Sequence, residues 1–175
     1  MPDSAKPRVA VIGLGSMGFG MATSLRRAGL EVTGCDVSAD TVKRFVADGG
    51  QGAGSPAAAA KSADIVVSVV VNAAQTETIL FGKDGVAETL GKGAVFISSA
   101  TMDPDVARRL AKQLEATGRH YLDAPISGGA QRAQVPLERH DLVRPVLHAR
   151  QLRDLGQARQ RLGRVADAGG RRVLE

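Results

Sequence analysis

From residue 8 to about residue 124, short apolar runs alternate with stretches whose apolar residues recur at helical spacing. Arg8–Ile12 is a short apolar run ending at Gly13 and reads as a buried parallel strand. A helix follows from about Met17, with Met17, Met21 and Leu25 spaced along one face, and Gly29 stands where a helix stops. Val32–Cys35 makes a second strand, and Ser38 is placed to cap a helix that buries Val42, Phe45 and Val46. Ser55–Pro56 opens a short Ala-rich helix, and Ile65–Val71, polar only at Ser68, reads as a central strand covered on both faces. A helix over about Ala73–Leu80 and a turn at Lys83–Gly85 come next. A strand at Ala94–Ile97, a helix behind Asp103–Pro104 and a last strand at Tyr121–Leu122 complete the series. Units repeated at this interval specify a doubly wound α/β fold, a parallel sheet with helices on both faces.

The rhythm stops after Arg132. Leu152, Leu155, Ala158, Leu162 and Val165 suit one amphipathic helix, and no strand pattern remains. The expected organisation is a domain over residues 1–132 and an Arg-rich tail over 133–175. Charge divides at nearly the same place. Residues 1–130 hold 13 basic and 13 acidic side chains, whereas 131–175 hold ten Arg and five acids, so the net +5 lies in the tail. Arginines spread evenly through a segment without aromatics offer bases nothing to stack on, so no nucleic-acid partner is expected. Cys35 is the single cysteine, which excludes an internal disulfide and points to the cytoplasm. The glycines interrupting Val9–Leu25 argue against a membrane span. His120, His140 and His148 are scattered, and no metal site is expected.

The chemistry sits in Gly13-Leu14-Gly15-Ser16-Met17-Gly18, which leaves the first strand and opens the first helix. In such a G-x-G-x-x-G loop the first glycine makes a tight turn, and the second lets a pyrophosphate reach the backbone. The third lets helix and strand touch. The helix start adds unpaired N–H groups and the positive end of the dipole. Asp36 ends the second strand 18 residues after Gly18, where a carboxylate meets an adenosine ribose. A carboxylate repels a 2′-phosphate and no arginine adjoins it, so NAD is expected ahead of NADP. Lys43 and Arg44, further on, keep NADP open. The domain is therefore expected to be of the Rossmann type.

Gly13–Ala22 and Asp123-Ala-Pro-Ile-Ser-Gly-Gly129 together resemble the opening and the substrate-loop signature of the β-hydroxyacid dehydrogenases. Val69–Thr76 and Ser98–Pro104 are most similar to the L-threonate dehydrogenase branch of that family. The resemblance covers residues 8 to about 132 and implies hydride transfer between NAD and a small 3-hydroxy or sugar acid. It implies further that Val70 and Val71 line the cofactor and that Thr101 lies near the nicotinamide. Ser127, Gly128 and Gly129 would hold the substrate.

The departures matter as much. Ser98-Ser-Ala-Thr101 stands where many relatives read Asp-x-Ser-Thr. The family's proton-transferring lysine, in a helical domain after the substrate loop, has no counterpart, because no lysine follows Lys112. Arginine holds its proton too tightly to replace it. The chain thus reads as the dinucleotide-binding part of such an enzyme without the helical domain, with no catalytic residue assigned and no turnover of its own. Rival readings are a non-catalytic NAD(P)-binding module and a relative of NADPH-dependent glyoxylate or imine reductases. Oligomeric state stays open. A natural helical tail and a shifted reading frame both fit the change near Arg132. The lack of Lys, Ile and aromatics beyond it favours the frameshift, which the nucleotide sequence past codon 132 decides.

Overall fold

Residues 6–126 are described by the structure, a computed structural model of the chain. The chain runs β1 (Val9–Ile12), α1 (Gly18–Arg27), β2 (Val32–Cys35), α2 (Ala39–Ala47), β3 (Gln51–Gly52) and α3 (Pro56–Ala60). It continues with β4 (Ile65–Ser68), α4 (Ala73–Phe81), α5 (Val86–Thr89), β5 (Val95–Ser98), α6 (Pro104–Glu115) and β6 (His120–Asp123). All pairings are parallel and the strand order is β3-β2-β1-β4-β5-β6. This is the doubly wound order, in which the strands on either side of β1 diverge in sequence and leave a crevice at their carboxyl ends.

Successive residues of a strand face opposite sides, and the two sides of β1 feed two separate cores. Val9 and Val11 join Leu14, Ala22, Val32, Phe45 and Val67 beneath α1 and α2. Ala10 and Ile12 join Val66, Phe96, Leu80, Leu110 and Leu114 beneath the helices of the other face. Side-chain oxygens set most helix starts. The Thr41 N–H donates to Ser38 Oγ, Ala58 N–H to Ser55 Oγ, Gln75 N–H to Asn72 Oδ1 and Asp105 N–H to Asp103 Oδ1. No helix among the described residues is long and apolar enough to cross a membrane.

Several sequence expectations need correction. β4 stops at Ser68 rather than Val71, because its neighbours end level with it at Ile12 and Ser98, and after the Val69 N–H donates to the Ile12 carbonyl no ladder remains for residues 70 and 71. Val71 is exposed. α2 buries only Phe45, while Val42 is half-buried and Val46 exposed, since this helix lies over β2 and the two-residue edge strand β3. On α1 the buried residues are Gly18, Gly20, Ala22 and Thr23, and Met17, Met21 and Leu25 are only partly covered. Small residues make the closest approach there. β3 and α5 went unread, being too short to carry a period. The boundary at residue 132 and the helix expected in the tail lie outside the described residues.

Phe45 is fully buried, meets Phe19 edge-to-face with ring centroids 5.9 Å apart, and fills the space above Gly34 and Gly50. Phe45→Ala is expected to destabilise the fold by about 3–5 kcal/mol, read as the fall in denaturant midpoint. A loss below about 1 kcal/mol contradicts this packing.

Candidate functional site

The loop leaving β1 is shaped by backbone contacts that exclude side chains. Gly13 has φ +93°, and a Cβ there would fall 2.3 Å from the Val69 carbonyl oxygen. Its N–H donates to the Cys35 carbonyl at 2.9 Å, tying the loop to the end of β2. At Gly18 a Cβ would fall 1.8 Å from the Gly13 carbonyl oxygen, so the first turn of α1 rests directly on the loop. Gly15 differs. Nothing lies within 4 Å of where its Cβ would be, and the residue is exposed. Its missing side chain serves no internal packing and leaves room for something from outside.

The start of α1 points the same way. Among the described helices of eight residues or more, α1 alone lacks a side-chain cap, and no acid stands in its first turn. Its leading N–H groups and positive dipole end are therefore available to an anion. Leu14, 2% exposed, anchors the loop from below.

Asp36 closes the crevice on the β2 side. Its Oδ2 accepts from the Leu14 N–H at 2.6 Å and its Oδ1 from the Ser38 N–H at 2.8 Å. One carboxylate thus joins the glycine loop to the start of α2. Each oxygen has a lone pair left, enough to receive the two hydroxyls of a ribose. Leu14, Gly15, Ser16, Phe19, Thr41 and Arg44 line an open cavity of about 310 Å³ beside it. Arg44 sits 5.3 Å from the Phe19 ring centroid. Lys43 pairs instead with Asp40 at 3.1 Å. The donor set, the free space at Gly15 and the carboxylate fit a dinucleotide.

Across the crevice, Val70 packs 3.3 Å from where a Gly13 Cβ would stand, and the exposed Val71 donates its N–H to Gln75 Oε1. Thr101 is exposed just past β5. Gly13, Leu14, Gly15, Ser16, Met17, Gly18, Asp36, Val70, Val71 and Thr101 all fall at the carboxyl edge of the sheet, around its switch point. Ser127, Gly128 and Gly129 lie outside the described residues. The chain leading to them is held against the end of β5, where the Ala124 N–H donates to the Ser98 carbonyl and the Ile126 N–H to the Ser99 carbonyl.

One group escaped the sequence reading. Register places Ser68, Ser98 and Asp123 side by side on β4, β5 and β6, with Tyr121 below Asp123 on the same face. Ser68 and Ser98 are fully buried, and burial pushes the Asp123 carboxyl above its ordinary range. A signal existed, in serines closing two consecutive apolar strands, but sequence alone gives no register. Cys35, whose thiol burial and the nearby Asp36 push upward, is no nucleophile candidate.

The model of the NAD binding domain of 6-phosphogluconate dehydrogenase matches residues 8–136, reaching past the boundary expected at 132. L-threonate dehydrogenase of Cupriavidus necator is 43% identical over 150 residues, covering 81% of this chain and 50% of that protein. Mitochondrial 3-hydroxyisobutyrate dehydrogenase of Mus musculus is 37% identical over 131 residues, covering 75% and 39%. The crystal structure of 3-hydroxyisobutyrate dehydrogenase from Salmonella typhimurium superposes with a TM-score of 0.70 at 39% identity, over 74% of this chain and 45% of that one. The chain spans about half the length, or less, of the curated relatives it matches.

Because burial raises the Asp123 carboxyl, the fold favours its neutral form. That contribution is whole at low pH and is lost as pH rises through the raised value. Asp123→Asn, neutral throughout, is expected to match the parent below the ordinary aspartate range and to gain on it as pH rises through and above that range. Thermal unfolding of both proteins across that window measures it, and a constant difference contradicts the assignment.

Proposed function

The chain belongs to the family of the NAD binding domain of 6-phosphogluconate dehydrogenase, and on that premise we propose that it is the NAD-binding part of an enzyme oxidising a small hydroxy acid. The observation that carries this reading is the open face of Gly15 at the uncapped start of α1, set beside an Asp36 carboxylate fixed by the Leu14 N–H. In this reading Gly13 and Gly18 shape the loop, and the N–H groups of Gly15–Gly18 take the diphosphate. Asp36 takes the adenosine ribose. Val70 and Val71 border the cofactor on the β4 side, and Thr101 reaches its nicotinamide end. Bound NAD supplies the hydride acceptor. Ser127, Gly128 and Gly129 hold the acid, a hydroxyl and two glycine N–H groups being suited to a carboxylate.

A threonate-like sugar acid is the proposed substrate class, supported by the 43% identity to a protein named L-threonate dehydrogenase. Residues 113–175 hold no lysine, so in this reading the proton-transferring group is not among them. Arg44 in the cavity favours residual binding of NADP, which the Asp36 carboxylate opposes. A cytoplasmic setting belongs to the same reading, on the single buried cysteine.

Two glycine variants separate binding from folding. Gly15→Ala meets no internal obstacle, so its melting temperature is expected to equal the parent's while NAD affinity by calorimetry falls at least tenfold. Gly13→Ala forces a Cβ onto the Val69 carbonyl at positive φ and is expected to destabilise the fold itself, by about 1–3 kcal/mol or more. Undiminished NAD binding by Gly15→Ala refutes the proposed phosphate site.

A further inference from the structure

The carboxyl-terminal row of the sheet changes character from one side to the other. Register lines up Cys35, Ile12, Ser68, Ser98 and Asp123 across β2, β1, β4, β5 and β6. The first two are apolar and buried, and the last three are polar. The row beneath on this face, Ala10, Val66, Phe96 and Tyr121, is apolar except for the Tyr121 hydroxyl, and Tyr121 stacks on Phe96 with centroids 5.8 Å apart.

Among the described residues, Ser68 Oγ, Ser98 Oγ, Tyr121 OH and Asp123 Oδ1 are all buried and make no hydrogen bond of full geometry, although the Tyr121 hydroxyl lies within reach of the Ser98 side chain. Ser68 and Ser98 are 0% exposed and Tyr121 is 8% exposed. A buried polar atom left unmade is costly, and four such atoms in one place would consume much of a domain's net stability. Beyond the approach of Tyr121 to Ser98, neighbouring side chains among the described residues offer little help. The helices packed on this face present Ile79, Leu80, Leu110 and Leu114, and the buried Thr76 already donates its hydroxyl to the Asn72 carbonyl.

We propose that Ser68, Ser98, Tyr121 and Asp123 form an internal water site that joins the carboxyl ends of β4, β5 and β6. Three hydroxyls and a carboxyl supply both donors and acceptors, which suits one or two waters making two to four hydrogen bonds each. Backbone bonds roof the site. The Ser99 N–H donates to the Ser68 carbonyl at 2.9 Å and the Ala124 N–H to the Ser98 carbonyl at 2.8 Å. The water therefore sits under the three segments that follow β4, β5 and β6, described as far as Val71, Thr101 and Ile126. It fixes their relative positions, and this role holds whether or not the site above binds a dinucleotide.

Removal of single hydroxyls tests the site, because filled and empty sites respond with opposite sign. If water completes the row, Ser98→Ala and Tyr121→Phe each raise the unfolding equilibrium constant, by about five- to thirtyfold. Nuclear Overhauser spectra of the parent then show a long-lived water at the Ser99 and Ala124 amides, and both variants lose it. If the oxygens are truly unpartnered, the variants are more stable than the parent and no such water is seen, which overturns the proposal; variants less stable than the parent with no such water assign a direct Ser98–Tyr121 hydrogen bond in its place and overturn it too. Stability that rises with sodium but not with choline at equal ionic strength assigns a cation in place of water and also overturns it.

Discussion

The carbonyl oxygen of Gly13 occupies the space where a side chain on residue 18 would have to stand, and the Val69 carbonyl does the same to residue 13. These backbone approaches press the first turn of α1 onto the carboxyl ends of the paired strands β1 and β4. They fix the direction of the helix, and with it the place where its unpaired N–H groups emerge. Asp36 then locks the loop from the β2 side through the Leu14 N–H. The crevice follows from contacts in which side chains at two positions are forbidden, while at a third, Gly15, the space is open.

The rest of the sheet supports that arrangement with two cores of different make. Beneath α1 and α2 the contact is intimate, built around Ala22, Phe45 and Leu14 and needing glycines at 18 and 34 to close. The other face is larger and is filled by Leu80, Phe96, Leu110 and Leu114. α4 and α6, which cover that second face, are also pinned together at the surface. There Arg109 makes a two-pronged ion pair with Glu77, at 2.7 and 2.9 Å, which lowers the Glu77 carboxyl and raises the Arg109 guanidinium. The pair is exposed, so its value is chiefly geometric.

Much of this was legible in the residues. The glycine spacing and the carboxylate at the end of β2 are local features, and both fall at the carboxyl edge of the sheet. The alternation of strand and helix specified the doubly wound sheet because each unit carries its own period. Features set by neighbours were hidden. β4 ends where its partners end, which its own apolar run through Val71 could not reveal. Val46 is exposed because α2 overhangs a sheet edge only two residues long. The polar row of Ser68, Ser98 and Asp123 exists only through register, a relation among strands up to 55 residues apart.

The central claim is that the start of α1 receives a diphosphate. Amide resonances of the isotope-labelled chain, followed while ADP-ribose is added, test it most directly. The account predicts saturable shifts concentrated at Leu14–Gly18 and at Asp36–Ser38, with little change at the capped starts of α4 and α6. Shifts confined to those capped helices, or none at any concentration that saturates a dinucleotide site, would contradict it.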